Sequence, residues 1–345
     1  MYEYEYRPLL FILIGEVSVL CLFFFVFFLK RIFFFFQIKN SKKREENISA
    51  LIVKSLENEG YVDLFIASKV LLDPMSLLKG LESFDRLFKE ESWLRLKKVL
   101  AEHFLFPKAR RLAKSCFWKK RSFAARCFSL APCKQNELIL ISLMKDRHFL
   151  IQSHAALALI ALESPLGIKE VVSSMNDHPG FVRLFFRDAL QGGSKEVINI
   201  LIDLASVQSF HCACLEVFSR QSFSVPFPFL EKDLASENLE VRILAIKILS
   251  HNPIKNTESI LIACSKDLEV KIRHQAVLGL SNFVSPQGVK RLEEIVLNSF
   301  ECRKIRLEAA KALKKLGRVD ILEKQNEKDL EAFKIAAYVL QFGSS

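Results

Sequence analysis

The residue types best able to do chemistry sit in one short run, His211-Cys212-Ala213-Cys214. An imidazole and two thiolates make a ligand set that suits zinc. The spacing argues against it: on a helix, positions 212 and 214 point in different directions, and no second ligand pair lies nearby. The other cysteines, Cys21, Cys116, Cys127, Cys133, Cys264 and Cys302, are scattered, and several fall where a small apolar helix residue belongs. That pattern fits reduced thiols, not a disulfide framework. A Gly-rich phosphate loop, Gly-x-Ser-x-Gly and His-Glu-x-x-His are all absent from the chain, and with them the commonest signatures of phosphate, serine-hydrolase and zinc-protease chemistry. The expectation is no enzyme: no catalytic residue, no metal, no cofactor and no small-molecule substrate.

Two charged features remain. From residue 103 to 136 there is no Asp or Glu, while the chain as a whole carries a net charge of +11. The binding candidates in that run are Lys108, Arg110, Arg111, Lys114, Lys119, Lys120 and Arg121, with Arg126 and Lys134 beyond them. An ordinary solvated helix face mixes signs, so an acid-free run of this length needs a cause. It suits anionic lipid headgroups, each cation contributing about 1 kcal/mol near the surface. An acidic protein partner, nucleic acid phosphates and a merely soluble basic face are the alternatives. Phe117 and Trp118 sit among these cations and are expected in the core of the first repeat. The second feature is Glu16, within the apolar run 9–29. A carboxylate there is costly and marks a functional candidate, paired with a basic group on a partner helix; a protonated carboxyl, or a span shifted towards the headgroups, is the plainer reading.

The elements that position these residues repeat. The stretch 267–280, Asp-Leu-Glu-Val-Lys-Ile-Arg-His-Gln-Ala-Val-Leu-Gly-Leu, has a close partner at 177–190. Both put Asp six residues before Arg, an apolar residue just before that Arg, and a small residue and Leu six and seven after it. Related stretches centre on Ser122, Gln152, Arg183, His211, Arg242, Arg273 and Arg306, spaced 30, 31, 28, 31, 31 and 33 residues apart. Three residues after these anchors stand Ala125, Ala155, Phe186, Cys214, Ala245, Ala276 and Ala309, small in all but one case, as close helix approach requires. The copies at Ser122 and His211 depend on the register chosen. Ile272, Ala276, Leu280 and Phe283 follow at helical spacing, with Asp267 as a natural N-cap. Ser285-Pro286-Gln287-Gly288 breaks the chain before a second apolar helix, and Ser164-Pro165-Leu166-Gly167 does the same earlier. A period near thirty with a helix–turn–helix unit predicts stacked repeats.

This pattern resembles the short HEAT-like repeats of about thirty residues, of the kind named after phycobilisome lyases. The resemblance implies an all-α, right-handed α-solenoid of helix pairs. It implies that Asp177, Arg183, Arg242, Asp267, Arg273 and Arg306 form a hydrogen-bonded ladder between neighbouring repeats, and that the second helix of each unit lines a concave surface. Some relatives of this class are di-iron hydroxylases with repeated His-Glu pairs; none of the seven histidines here is followed by Glu.

Ahead of the repeats, the run 9–29 includes Phe11, Phe23, Phe24, Phe25, Phe27 and Phe28. A helix of that length rises about 30 Å, enough to cross a hydrocarbon core. The region before it is acidic and tyrosine-rich and no Ala-x-Ala site follows, which favours an uncleaved transmembrane helix over a signal peptide. Lys30, Arg31, Lys39, Lys42, Lys43 and Arg44 follow it, so the repeats should face the cytoplasm. The expected organisation is a short extracytoplasmic N-terminus (1–8), a single span (9–29), a basic juxtamembrane linker (30–47), a helical cap or degenerate repeats (48–113), the repeat solenoid (114–320) and a capping helix (321–345). The expected function is a scaffold at the inner (plasma) membrane that recognises a protein partner; the alternative is an accessory or regulatory subunit of an integral membrane enzyme or complex. Nucleic acid is not an expected partner.

Overall fold

In the computed structural model, residues 6–57, 73–178, 180–220, 230–254, 256–323 and 330–342 are described. All their regular structure is helical. The chain divides into two compact units, Met1–Ala158 and Leu159–Ser345.

The first unit opens with α1, Tyr6–Glu57, one continuous helix of 52 residues. The stretch 30–47, expected as a linker, is part of it. This stretch contains neither Pro nor Gly, so nothing there breaks a helix once one has started. Near its end Ile48 and Ile52 are fully buried, and this end packs on α2 (Pro74–Asp85) and α3 (Glu91–Leu100). Asp73 caps α2 by accepting from the Met75 amide, with Pro74 at the first helical position, where a missing N–H costs nothing. Within the helical cap expected at 48–113, residues 58–72 lie outside the described residues. α3 runs through a wider π turn, Ala101–Leu105, into α4, Phe106–Leu112. Pro107 cannot donate to the preceding turn, and the π turn, with Phe106 N–H reaching the Ala101 carbonyl, lets the helix continue past it. Then come α5 (Trp118–Leu130), α6 (Glu137–Met144) and α7 (Phe149–Ala161).

Beyond Glu16, the middle of α1 is uncovered. Leu22, Phe23, Phe24, Phe25, Val26, Phe27, Phe28 and Leu29 are all at least 49% exposed. Eight consecutive exposed side chains go round the helix more than twice, so no face of it is packed. Among the described residues, no helix is long and apolar enough to cross a membrane. The span expected at 9–29 therefore has no counterpart among them: the side chains before Glu16 lie outside the described residues, and 16–33 contains Glu16, Lys30 and Arg31.

The second unit is a two-row stack. One row holds the helices of the repeated phrase: α9 (Phe181–Gln191), α11 (Gln208–Phe218), α13 (Leu239–His251), α15 (Val270–Leu280), α17 (Arg303–Lys315) and α19 (Leu330–Phe342). The other row holds α8 (Pro165–Asp177), α10 (Lys195–Ala205), α12 (Leu230–Leu234), α14 (Thr257–Cys264), α16 (Pro286–Leu297) and α18 (Val319–Glu323). Successive phrase helices pack broadly on one another, while α14 and α16 meet only marginally. The sequence had the second helix of each unit lining the concave surface, but it is the phrase helices that stack more closely. The small column explains this: Cys214, Ala245, Ala276 and Ala309 are fully buried, so backbones come close. Gly279 shows how close. A Cβ there would lie 2.4 Å from Ser250 Oγ and 3.1 Å from Leu261 Cδ2.

Helix ends follow local chemistry. Ser164 and Ser285 each cap a helix with Pro next in sequence, accepting from Gly167 and Gly288 amides at 2.9 and 3.0 Å. Asp267 is not an N-cap as expected; Glu269 holds that position, and the Asp267 carboxylate accepts from the Glu269 amide at 2.9 Å in a turn just before it. α17 ends at Gly317, φ +74°, with Gly317 N–H on the Lys314 carbonyl and Arg318 N–H on the Leu313 carbonyl. This paired closure needs a left-handed residue, which favours glycine. Replacing Gly317 by Ala should lower stability by about 1 kcal/mol, whereas Gly279→Val, which drives a branched side chain into α13, should cost about 2 kcal/mol or more. Thermal melts followed by circular dichroism measure both; equal, negligible effects would contradict the close α13–α15 approach.

Candidate functional site

The Arg column is a ladder, and the structure fixes its register. Arg273 Nη1 donates to the Asp267 and Leu268 carbonyls at 2.9 and 2.8 Å, six and five residues back. Its Nε and Nη2 fork onto Glu301 of the next unit at 2.8 and 2.9 Å. Arg121 does the same: Nη1 donates to the Ser115 and Cys116 carbonyls, both at 2.9 Å, and the rest of the guanidinium clasps Asp146. The first anchor is therefore Arg121, one residue before the Ser122 expected. The sequence allows either register because Ala124 and Ala125 are adjacent, three residues after Arg121 and Ser122; both are fully buried.

The column continues with other residue types. Gln152 donates to the Asp146 carbonyl at 2.7 Å, six residues back. His211 takes the same place: its Nδ1 donates to the Ala205 carbonyl at 2.6 Å, and its Nε2 lies 2.8 Å from Asp233 Oδ1. Arg242 reaches Asp267, Arg306 donates to the Val296 carbonyl at 2.9 Å and pairs with Glu331 at 3.0 Å, and Arg183 takes Glu216 at 2.6 Å. Asp177 is not a rung. It ends α8 with an exposed side chain, and Arg183 donates instead to the Met175 carbonyl at 3.2 Å.

Asp146 and Glu301 are each held from two sides. Asp146 also accepts from the His148 amide at 3.0 Å, and Glu301 from the Cys302 amide at 2.8 Å. Burial pushes both carboxyls up. The hydrogen bonds from Arg121 and Arg273, those amides and the guanidinium charges outweigh it, leaving both below their ordinary values of 3.8 and 4.5. Both carboxylates are thus engaged in structural bonds.

The His211-Cys212-x-Cys214 run follows from this. The imidazole is used in the ladder, and burial pushes the Cys212 thiol up to about 11 and the Cys214 thiol up to about 12. The thiolate is the nucleophilic form of cysteine, and burial disfavours it at both positions. Among the described residues, no group of three or more His, Cys, Asp or Glu is placed to hold a metal.

The basic run separates into two sets. Arg121 is a rung. Arg126 pairs with Glu82 of α2, and Arg110 donates to Asn136 Oδ1 at 2.8 Å and Gln135 Oε1 at 3.3 Å. Lys108, Arg111, Lys114, Lys119 and Lys120 are exposed and, among the described residues, in no ion pair. They surround the α4–α5 corner, where Phe117 and Trp118 are 62% and 41% exposed. These two rings were expected in the core. They lie at the start of α5, ahead of its buried stretch, and solvent-facing contacts hold them: Lys120 Nζ sits 5.0 Å over the Phe117 ring, and Trp118 stacks on His148 at 5.2 Å. The corner is a cationic surface with two aromatic projections. Glu16 is exposed on α1, and no described basic group pairs with it.

Together these features define an all-helical repeat protein. No family model matches the chain and no curated protein matches it. Among solved structures, an engineered protein from a structural genomics consortium aligns at 16% identity with a TM-score of 0.34, covering 87% of this chain and 95% of its own. Human deoxyhypusine hydroxylase aligns at 13% identity with a TM-score of 0.30, covering 88% and 98%. A Kap121p mutant aligns at 14% identity with a TM-score of 0.33, over 80% of this chain but 42% of its own length. Superpositions this loose carry no argument about activity.

Removing a rung leaves its acid partly buried and unpaired. Arg273→Ala should destabilise the fold by about 2–3 kcal/mol, somewhat less than the about 3–5 for a fully buried pair. Arg273→Lys should recover only part of this, because an ammonium cannot make the fork. Chemical denaturation of the purified variants measures both. Because the Asp146 and Glu301 values are depressed in the folded state, the stability they contribute is present above their ordinary values and is lost as pH falls through the depressed ones. Melting temperature should therefore drop as the pH is lowered from neutral through about 4, and Arg273→Ala should show a smaller drop than the parent.

Proposed function

We propose that this protein is a non-enzymatic scaffold at the inner (plasma) membrane, anchored by α1, with its HEAT-like repeats, a right-handed α-solenoid, in the cytoplasm recognising a protein partner. The observation that carries the reading is the uncovered apolar stretch of α1. Water tolerates single exposed apolar side chains, but a stretch this large marks a surface that meets lipid or another protein. The continuous helix would carry the apolar run 9–29 directly into a packed domain, since the same helix buries Ile48 and Ile52. Lys30 and Arg31 follow the run, which favours the cytoplasm for the repeats. The α4–α5 corner supports the same placement: exposed lysines and arginines attract anionic headgroups, and Phe117 and Trp118 suit the interface.

The second reading, an accessory subunit that assembles through α1, is favoured by Glu16. A carboxylate among exposed apolar side chains is a natural partner for a basic group on another helix.

Two measurements decide between these. The full chain should stay with membranes through alkaline carbonate washing, while a form starting at Ser41 should be soluble; release of the full chain by carbonate would overturn the anchor. In affinity capture from solubilised membranes, the same partner should come with both forms. Recovery with the full chain alone would give the subunit reading the advantage.

A further inference from the structure

The exposed face of the phrase helices in the second unit carries two adjacent clefts that share Gln275. The larger, about 570 Å³, lies between the ends of α11, α13 and α15 and presents Arg220, Lys247 and His251. The smaller, about 250 Å³, lies at the starts of α15 and α17 and presents Lys271, His274 and Lys304 over an apolar floor of Ile243, Val270 and Ile305. Neither lining contains an Asp or a Glu. Beside the larger cleft, Lys315 Nζ donates to Asn282 Oδ1 at 2.9 Å and adds a further cation.

Helix dipoles account for part of this charge. Lys247 and His251 sit in the last turns of α13, where cations are favoured. They do not account for Lys271 and Lys304, which stand in the first turns of α15 and α17, the positive ends, with no acidic residue in either turn. Each stands where its own helix disfavours it; of the acids nearby, Glu269 is the N-cap of α15, Glu301 is taken by Arg273 and Glu308 by Lys311. His274 Nε2, in the same lining, is buried with no hydrogen-bond partner among the described residues. Burial, with Lys304 nearby, holds this imidazole below its ordinary value against the opposing charge of Glu308.

We infer that this groove binds an extended acidic segment of a protein partner, carrying one apolar side chain. The inference rests on the scaffold reading and adds the chemistry of the partner. The acidic side chains would meet Lys247, Lys271 and Lys304, and the apolar one would enter the smaller cleft on Ile243, Val270 and Ile305. A groove along α15, whose 11 residues rise about 16 Å, accommodates about five residues of extended chain. The apolar floor favours a peptide over a nucleic acid strand, which brings no aliphatic side chain.

The test uses the full chain in detergent and a fluorescent Glu-rich peptide with one central Leu. Binding should saturate and weaken with salt. Lys247→Glu combined with Lys304→Glu should weaken it about tenfold or more, and replacing the peptide Leu by Gly should also weaken it about tenfold. Lys119→Glu with Lys120→Glu, at the separate basic corner, should leave it unchanged. Circular dichroism melts check folding, and the milder Lys247→Gln with Lys304→Gln should give an intermediate loss if the charge reversals unfold the protein. The inference is overturned if groove variants bind the peptide like the parent, if the corner variants are the ones that lose it, or if a single-stranded oligonucleotide of equal charge binds more tightly. If the Ser41 form captures a partner that the groove variants still capture, the scaffold reading stands and the groove is not its site.

Discussion

The repeat region is registered by one recurring bond pattern, complete at Arg121 and Arg273: a guanidinium that reaches back to the carbonyls opening its own helix and forward to an acid just before the next phrase helix. The backward bonds of Arg121 and Arg273 satisfy carbonyls in the turn, and the forward fork fixes the neighbour's turn at a set distance. The acid is itself tied to an amide of its own turn. Two adjacent units are therefore registered through groups whose positions the backbone already determines. Arg306, 1% exposed and donating to the Val296 carbonyl, is the most buried rung. Apolar burial supplies the bulk of the stabilisation, but it is non-directional; the rungs give it a register.

The ladder also explains why the chemically suggestive residues in it are quiet. His211 is a rung with both ring nitrogens engaged, and burial disfavours the thiolates of Cys212 and Cys214. The candidates for function lie where the ladder leaves side chains over: the α4–α5 corner, the exposed stretch of α1, and the face of the phrase helices. In each, exposed charge or exposed apolar surface lacks a counterpart within the described fold. These are the surfaces on which a repeat protein can act by recognition, which needs groups whose interactions are incomplete until a partner arrives.

The sequence by itself determined the repeat period, the helical character of the units and the Arg and small-residue columns, because these are local patterns that a helix of fixed pitch must use in a fixed way. It also placed the breaks at Ser164-Pro165 and Ser285-Pro286, whose capping chemistry is local. Only the tertiary structure decided the rest. Gln152 and His211 share a column with arginine because each can donate to the carbonyl six residues back, and a match in residue type could not show that. Asp177 fits the repeated phrase yet is no rung, since its side chain points to solvent at a helix end. Phe117 and Trp118 read as core by hydrophobicity but face outward, because burial is set by what packs against a position. The two clefts join residues of separate repeats, Arg220 to Asn282 in one and Ile243 to Ile305 in the other. Their charge could be assembled only once stacking had brought units some thirty residues apart side by side.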